Sequence, residues 1–251
     1  VSSDGFAYLT GATGSSSGIG TIDGIHPGWI GPFSGDPNDA LSAKSDPAAN
    51  RTPGPYYGAT GLDQGHEITL DSDDNPYLCG FTYSNFGVST PLSHQEERSG
   101  GADGFLVKFD PDGERLWGTY YGGLYNDFYN AGIDCDTLDN IYFGGSTNSE
   151  ENIAFEGFQM THASFDGDYS KMDACLVKFD SEGARIWGTY IGGVGDDYVL
   201  SVEVDDETNN VIISGDTYSP NYPVTDCGMQ LELIGSENAM ITQFLASGEM
   251  F

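Results

Sequence analysis

Along most of the chain, apolar and polar residues alternate in short runs, and clusters of Gly, Asp, Asn and Pro interrupt every run. This period-2 pattern predicts short β-strands joined by tight turns, and no segment sustains a helical period beyond a short turn. The runs recur. Residues 103–123 (DGFLVKFDPDGERLWGTYYGG) and 173–193 (DACLVKFDSEGARIWGTYIGG) stand in register 70 positions apart. A fainter copy precedes them by 64 positions, DALSAKSD at 39–46 with PYYGATGLD at 55–63, and another opens at 238–251 with NAMITQFLASGEMF. A second pattern also returns, in GHEITLDSDDNPYLCGFTYS (65–84), NAGIDCDTLDNIYFGGSTNS (130–149) and VLSVEVDDETNNVIISGDTYS (199–219).

Each unit therefore predicts four strands, a (FLVKF), b (LWGTYYG), c (GIDC) and d (IYFGGST), with Asp-Pro-Asp-Gly, Ser-Glu-Gly and Asp/Asn clusters as turns. Four antiparallel strands in a repeated unit of 64–70 residues predict an all-β fold of β-propeller blades. A stacked β-solenoid uses much shorter repeats. Residues 1–251 are read as one propeller or part of one, in units 1–38 (partial), 39–102, 103–172, 173–237 and 238–251 (partial). Val1 aligns with the end of strand c and Phe251 with the start of strand b. That phase suggests a window of a longer polypeptide, with a closed four-bladed ring as the alternative.

These residues resemble the SBBP repeat, the seven-bladed β-propeller repeat of bacterial secreted and surface proteins. The resemblance rests on Asp103–Asp110, Leu116–Gly123, Asn140–Thr147, Gly195–Asp197, and a loop seen as Tyr222–Thr225 with Gly228–Gln230. It covers nearly the whole chain, strongly over residues 100–250 and weakly before residue 60. What it implies is a propeller with an extracellular or cell-surface location, and no catalytic activity.

The charge changes the list of partners. Asp and Glu number 39 against 8 Lys and Arg, a formal net charge of −31, which repels a phosphate backbone and excludes nucleic-acid binding by counterion release. Disorder does not follow, because 15 Tyr, 14 Phe and 3 Trp supply a core. No apolar run approaches the ~18 residues of a membrane span, so direct membrane insertion is not expected.

Candidate chemistry lies mostly in the repeated columns. Lys44, Lys108 and Lys178 share one position of strand a, and an active site has no reason to recur in every repeat. They are read as buried structural lysines, with a partner expected from the column Asp63, Asp127 and Asp197. The Asp-rich turns, with Asp71 and Asp73 in one and Asp134, Asp136 and Asp139 in the other, invite a Ca²⁺ reading; ordinary Asx turns are the competing one. Trp117 and Trp187 read as packing between blades, whereas Trp29 and Phe33 in a Gly/Pro insertion, and Tyr222 in a connection, are candidate partner anchors. The four cysteines form no C-x-x-C, and one or two disulfides are compatible with the spacing. The four histidines show no metal motif.

The expected function is a non-catalytic extracellular scaffold or binding module. It would engage a protein, other subunits of a surface assembly or a glycan through the d-to-a connections. A propeller glycan hydrolase or lyase would need non-repeated acids such as Glu96, Glu97, Glu150, Glu151 and Glu156 to converge; a Ca²⁺-dependent lectin is a third reading.

Overall fold

A computed structural model describes residues 1–14, 39–164, 170–225, 228 and 230–251. All regular elements among them are strands: β1 (Ala7–Thr13), β2 (Asp39–Ser45), β3 (Arg51–Tyr57), β4 (Asp63–Leu70), β5 (Pro76–Thr82), β6 (Asp103–Phe109), β7 (Arg115–Tyr121), β8 (Gly132–Cys135), β9 (Ile141–Thr147), β10 (Asp173–Phe179), β11 (Arg185–Ile191), β12 (Asp197–Asp205), β13 (Asn210–Thr217) and β14 (Asn238–Phe244). They form four antiparallel sheets, consistent with propeller blades: β1-β2-β3, β4-β5-β6-β7, β8-β9-β10-β11 and β12-β13-β14. The sheets are called first to fourth below.

Within a sheet the strands run c, d, a, b, so each sheet takes c and d from one sequence unit and a and b from the next. The reason is the ladder between d and a. Thr82 lies opposite Asp103 and Thr147 opposite Asp173, which continues the meander across the long d-to-a connection. The step to the next sheet falls instead at the Gly-Gly segment after strand b. Strand c of one sheet neighbours strand c of the next, from β4 to β8 to β12.

The two middle sheets are covered on both faces, and alternation decides which residue goes where. Phe105, Val107 and Phe109 of β6 join Ala40, Tyr57 and Leu78 against the first sheet. Leu106, on the opposite face, joins Phe128, Phe143, Cys175, Val177 and Phe179 against the third. Ala174 and Leu176 of β10 then meet Val199, Val202, Ile213 and Phe244 of the fourth. Each Val, Leu, Ile or Phe among them contributes about 1.5–3 kcal/mol by leaving water. This explains why strands a and d of these sheets are buried at every position rather than at alternate ones.

Polar contacts fix the spacing between sheets. Trp117 Nε1 donates to Ser181 O of the next a-to-b turn at 3.0 Å, and Trp187 Nε1 donates to Ala246 O at 3.1 Å. At the c-to-d turns, Ser72 donates its N–H and hydroxyl to Asp139, and Thr137 likewise to Asn209.

Candidate functional site

The repeated lysines do not use the expected acids. Lys108 Nζ lies 2.9 Å from Asp71 Oδ2, and Lys178 Nζ lies 3.1 Å from Asp136 Oδ2. The pairing with Asp63, Asp127 and Asp197 is thereby corrected, and the register gives the reason. Lys178 stands opposite Tyr142, five positions along β10 from the row where Asp173 meets Thr147 and Asp127. At about 3.4 Å per residue that is about 17 Å, beyond the reach of a lysine. Each ammonium instead lies above the ring of its cross-strand tyrosine, Lys108 at 4.9 Å from Tyr77 and Lys178 at 4.7 Å from Tyr142. The acid belongs to the same sheet, so the ion pair ties strand a to the c-to-d turn. Lys44 differs, with its Nζ 4.2 Å above the Phe6 ring and donating to Pro111 O at 3.1 Å. Ser2 takes the place of the acid there, closing the first turn as Asp71 closes the second.

The same carboxylates include two of the calcium candidates, Asp71 and Asp136. Asp71 Oδ1 accepts the N–H groups of Asp73 and Asn75, while Oδ2 accepts from Asn75 Nδ2 and faces Lys108. Asp136 repeats this with Leu138, Asn140 and Lys178. Burial pushes both carboxyls up, but the Asn side chains, backbone donors and lysines outweigh it and hold them below the usual range. Asp139 accepts from Ser72, and Asp134 accepts from Thr69 Oγ1 and Val204 N. Asp73 contributes its N–H to the turn. The arrangement is that of Asx turns whose outward oxygens serve an ammonium or a neighbouring turn. Among the described residues, no group of three or more His, Cys, Asp or Glu is arranged to hold a metal ion.

The column Asp63, Asp127 and Asp197 has a different partner set, identical in all three copies. Asp127 accepts from the hydroxyls of Thr147 and Ser149 and from Gly123 N. Asp63 uses Thr82, Ser84 and Ala59 N, and Asp197 uses Thr217, Ser219 and Gly193 N. The signal was present in the sequence as Thr-x-Ser at the end of every strand d. Burial nevertheless pushes all three carboxyls up to about 6. Asp103 lies beside Asp127, with Gly122 between them: a Cβ there would come within 2.7 Å of both side chains. Asp103 Oδ1 is buried without a hydrogen-bond partner, and burial, reinforced by Asp127, pushes this carboxyl up to about 7.

The described parts of the d-to-a connections after β5 and β9 form an outer layer on the second and third sheets. In the second sheet, Thr90 N donates to Gly118 O and Tyr120 N donates to Gln95 O; in the third, Phe155 and Gly188 exchange both bonds and Tyr190 N donates to Gln159 O. Strand b thus lies between strand a and a covering segment, which protects its edge. The backbones approach so closely that a Cβ on Gly118 would lie 2.5 Å from Val88 O, and one on Gly188 2.6 Å from Ile153 O. Thr119 and Thr189 complete the fit, each accepting the N–H of the covering glutamine.

In the fourth sheet a groove of about 480 Å³ lies between β14 and residues 219–225, 228 and 230–233. Met250 lies opposite Phe244, and Phe251 N donates to Gln243 O, so these two residues take the first positions of strand b. Tyr222 lines this groove, its hydroxyl 2.9 Å from Thr242 Oγ1. Trp29 and Phe33, the other proposed anchors, lie outside the described residues, as does Cys227. Cys79, Cys135 and Cys175 are free thiols, and burial raises all three thiol pKa values.

Glu96 caps Leu92 N, and Glu150, Glu151 and Glu156 are exposed on the connection after β9. A second cleft brings His94, Glu182 and Arg185 together, with His94 pushed down to about 4 by burial and by Arg185. Compared with known proteins, the sequence matches no family model and no curated relative.

Proposed function

We propose that the chain is a non-catalytic β-propeller module of the SBBP type that acts as a scaffold, engaging a protein or glycan partner at a cell surface. The observation that carries this reading is the employment of the repeated ionisable residues. Lys108 and Lys178 hold c-to-d turns, and Asp63, Asp127 and Asp197 hold the ends of strand d. The chemistry that recurs in the sequence is therefore spent on the frame. What varies is the set of connections, residues 85–102, 148–164, 219–225 and 230–233 among those described, whose exposed positions are where a partner would bind. The high negative charge suits a soluble exterior surface.

The test offers the chain a panel of extracellular polysaccharides, with reducing-end release and co-sedimentation measured together. The reading expects binding or self-association with no release. Turnover that disappears on Glu182→Gln or His94→Gln would replace it with the hydrolase reading, because those side chains share a cleft that brings an acid and a histidine together.

A further inference from the structure

The repeat departs from itself at two positions that meet in one place. Gln95 and Gln159 hold the same station beside strand b, each accepting the N–H of a strand-b tyrosine. The residue before Gln159 is Phe158, which packs on Phe244 with ring centres 6.2 Å apart and the planes at 71°. The residue before Gln95 is His94, which packs on Phe179 at 5.6 Å and the same 71°. An imidazole thus stands where the next boundary between sheets has a phenyl ring. Likewise Phe155, which exchanges backbone bonds with Gly188, stands where Thr90 stands beside Gly118. The frame needs neither residue, because one sheet away it is built without it. Both side chains border the cleft of about 370 Å³ between the second and third sheets, together with Leu92, Glu182 and Arg185. That volume falls within the ~300–1,000 Å³ of small-molecule sites.

The polar groups of this cleft are held in place and left without partners. Arg185 Cζ sits 4.7 Å from the centre of the Phe155 ring, while Nη1 donates to Asn152 O at 3.2 Å and Tyr121 Oη at 3.4 Å. Among the described residues, nothing accepts from Arg185 Nε or Nη2, nothing donates to the Glu182 carboxylate, and no hydrogen bond engages the His94 ring. Burial and Arg185 push His94 down to about 4, so at neutral pH one ring nitrogen donates and the other accepts.

We propose that this cleft binds a neutral pyranose residue of a glycan. The guanidinium edge only donates, the carboxylate only accepts and the imidazole does one of each, whereas every sugar hydroxyl does both. Phe155, 39% exposed, and the exposed Leu92 offer apolar surface to the C–H face of the ring. Charge selects among the alternatives. Arg185 and Glu182 cancel within the cleft, the guanidinium opposes a basic side chain, and the net charge of −31 opposes an acidic glycan or peptide. The proposal rests on the scaffold reading and names the class of its glycan partner.

The probes are the methyl glycosides of glucose, galactose, mannose and N-acetylglucosamine, with methyl glucuronide as the acidic comparison. Binding to the whole chain is read by saturation-transfer NMR and isothermal titration at pH 7. Saturable binding of at least one neutral glycoside is expected, tighter than that of the glucuronide. His94→Phe installs the ring that Phe158 supplies at the next boundary, so it should keep the melting temperature and weaken binding about fivefold, as the loss of one hydrogen bond does. Glu182→Ala, at an exposed side chain, should do the same. No saturable binding of any neutral glycoside, undiminished binding by both variants, or tighter binding of the glucuronide would overturn the sugar site and leave the scaffold reading with a protein partner. Reducing-end release in the polysaccharide assay by a chain that binds the glycoside would remove the scaffold reading and leave the site.

Discussion

Lys178→Met tests the reassigned ion pair most directly. The side chains of Lys178 and Asp136 are 7% and 0% exposed, and the ammonium also donates to Tyr142 Oη at 2.7 Å and Ala246 O at 3.4 Å. Removing one partner of a buried pair costs about 3–5 kcal/mol, because the remaining charge is left uncompensated. Asp136 retains Asn140 and two backbone donors, so the lower end, about 3 kcal/mol, is expected. The double variant Lys178→Met/Asp136→Asn removes both charges and should recover about 2 kcal/mol of that loss, a coupling typical of residues in contact. The control is Lys178→Met/Asp127→Asn, in which the groups stand about 17 Å apart and should be additive within about 0.5 kcal/mol. Urea unfolding followed by tryptophan fluorescence gives all the values at unchanged m. A loss below about 1 kcal/mol for Lys178→Met, or a larger coupling to Asp127 than to Asp136, would refute the assignment.

Three further outcomes follow from the same frame. The Asp63, Asp127 and Asp197 carboxyls titrate at about 6 and Asp103 at about 7 when folded, against about 3.9 unfolded, so the folded chain binds more protons across that window. Stability should therefore fall as pH rises from about 4 to about 7, and a melting temperature that climbs between pH 5 and pH 8 would contradict the burial of these acids. Thr147→Val deprives buried Asp127 of one donor and Ser149 N of its acceptor; it should cost about 1–3 kcal/mol, more at pH 8 than at pH 5, as differential scanning calorimetry at both pH values would show. Gly188→Val forces a Cβ to within 2.6 Å of Ile153 O and 2.7 Å of Tyr121 Oη, so a loss of about 1–3 kcal/mol in urea is expected, and a neutral substitution would mean that the covering segment is not held there.

The strands, the turns and the repeat could be read from the amino-acid order alone, because these are local. Alternation sets which side of a strand is apolar, and an Asp whose oxygen accepts N–H groups two and four residues on closes a turn from within its own segment, as Asp110 and Asp180 do. Trp117 and Trp187 were legible as packing residues for the same reason: identical positions in identical strands have identical surroundings. The partners of the charged columns were not legible. Whether Lys178 meets Asp136 or Asp127 depends on the order c-d-a-b within a sheet and on the register of β10 against β9, and both follow from which strands bury their faces together. The Thr-x-Ser cradle was written in three copies, yet its purpose appears only when strand c folds back to set a carboxylate against the end of strand d.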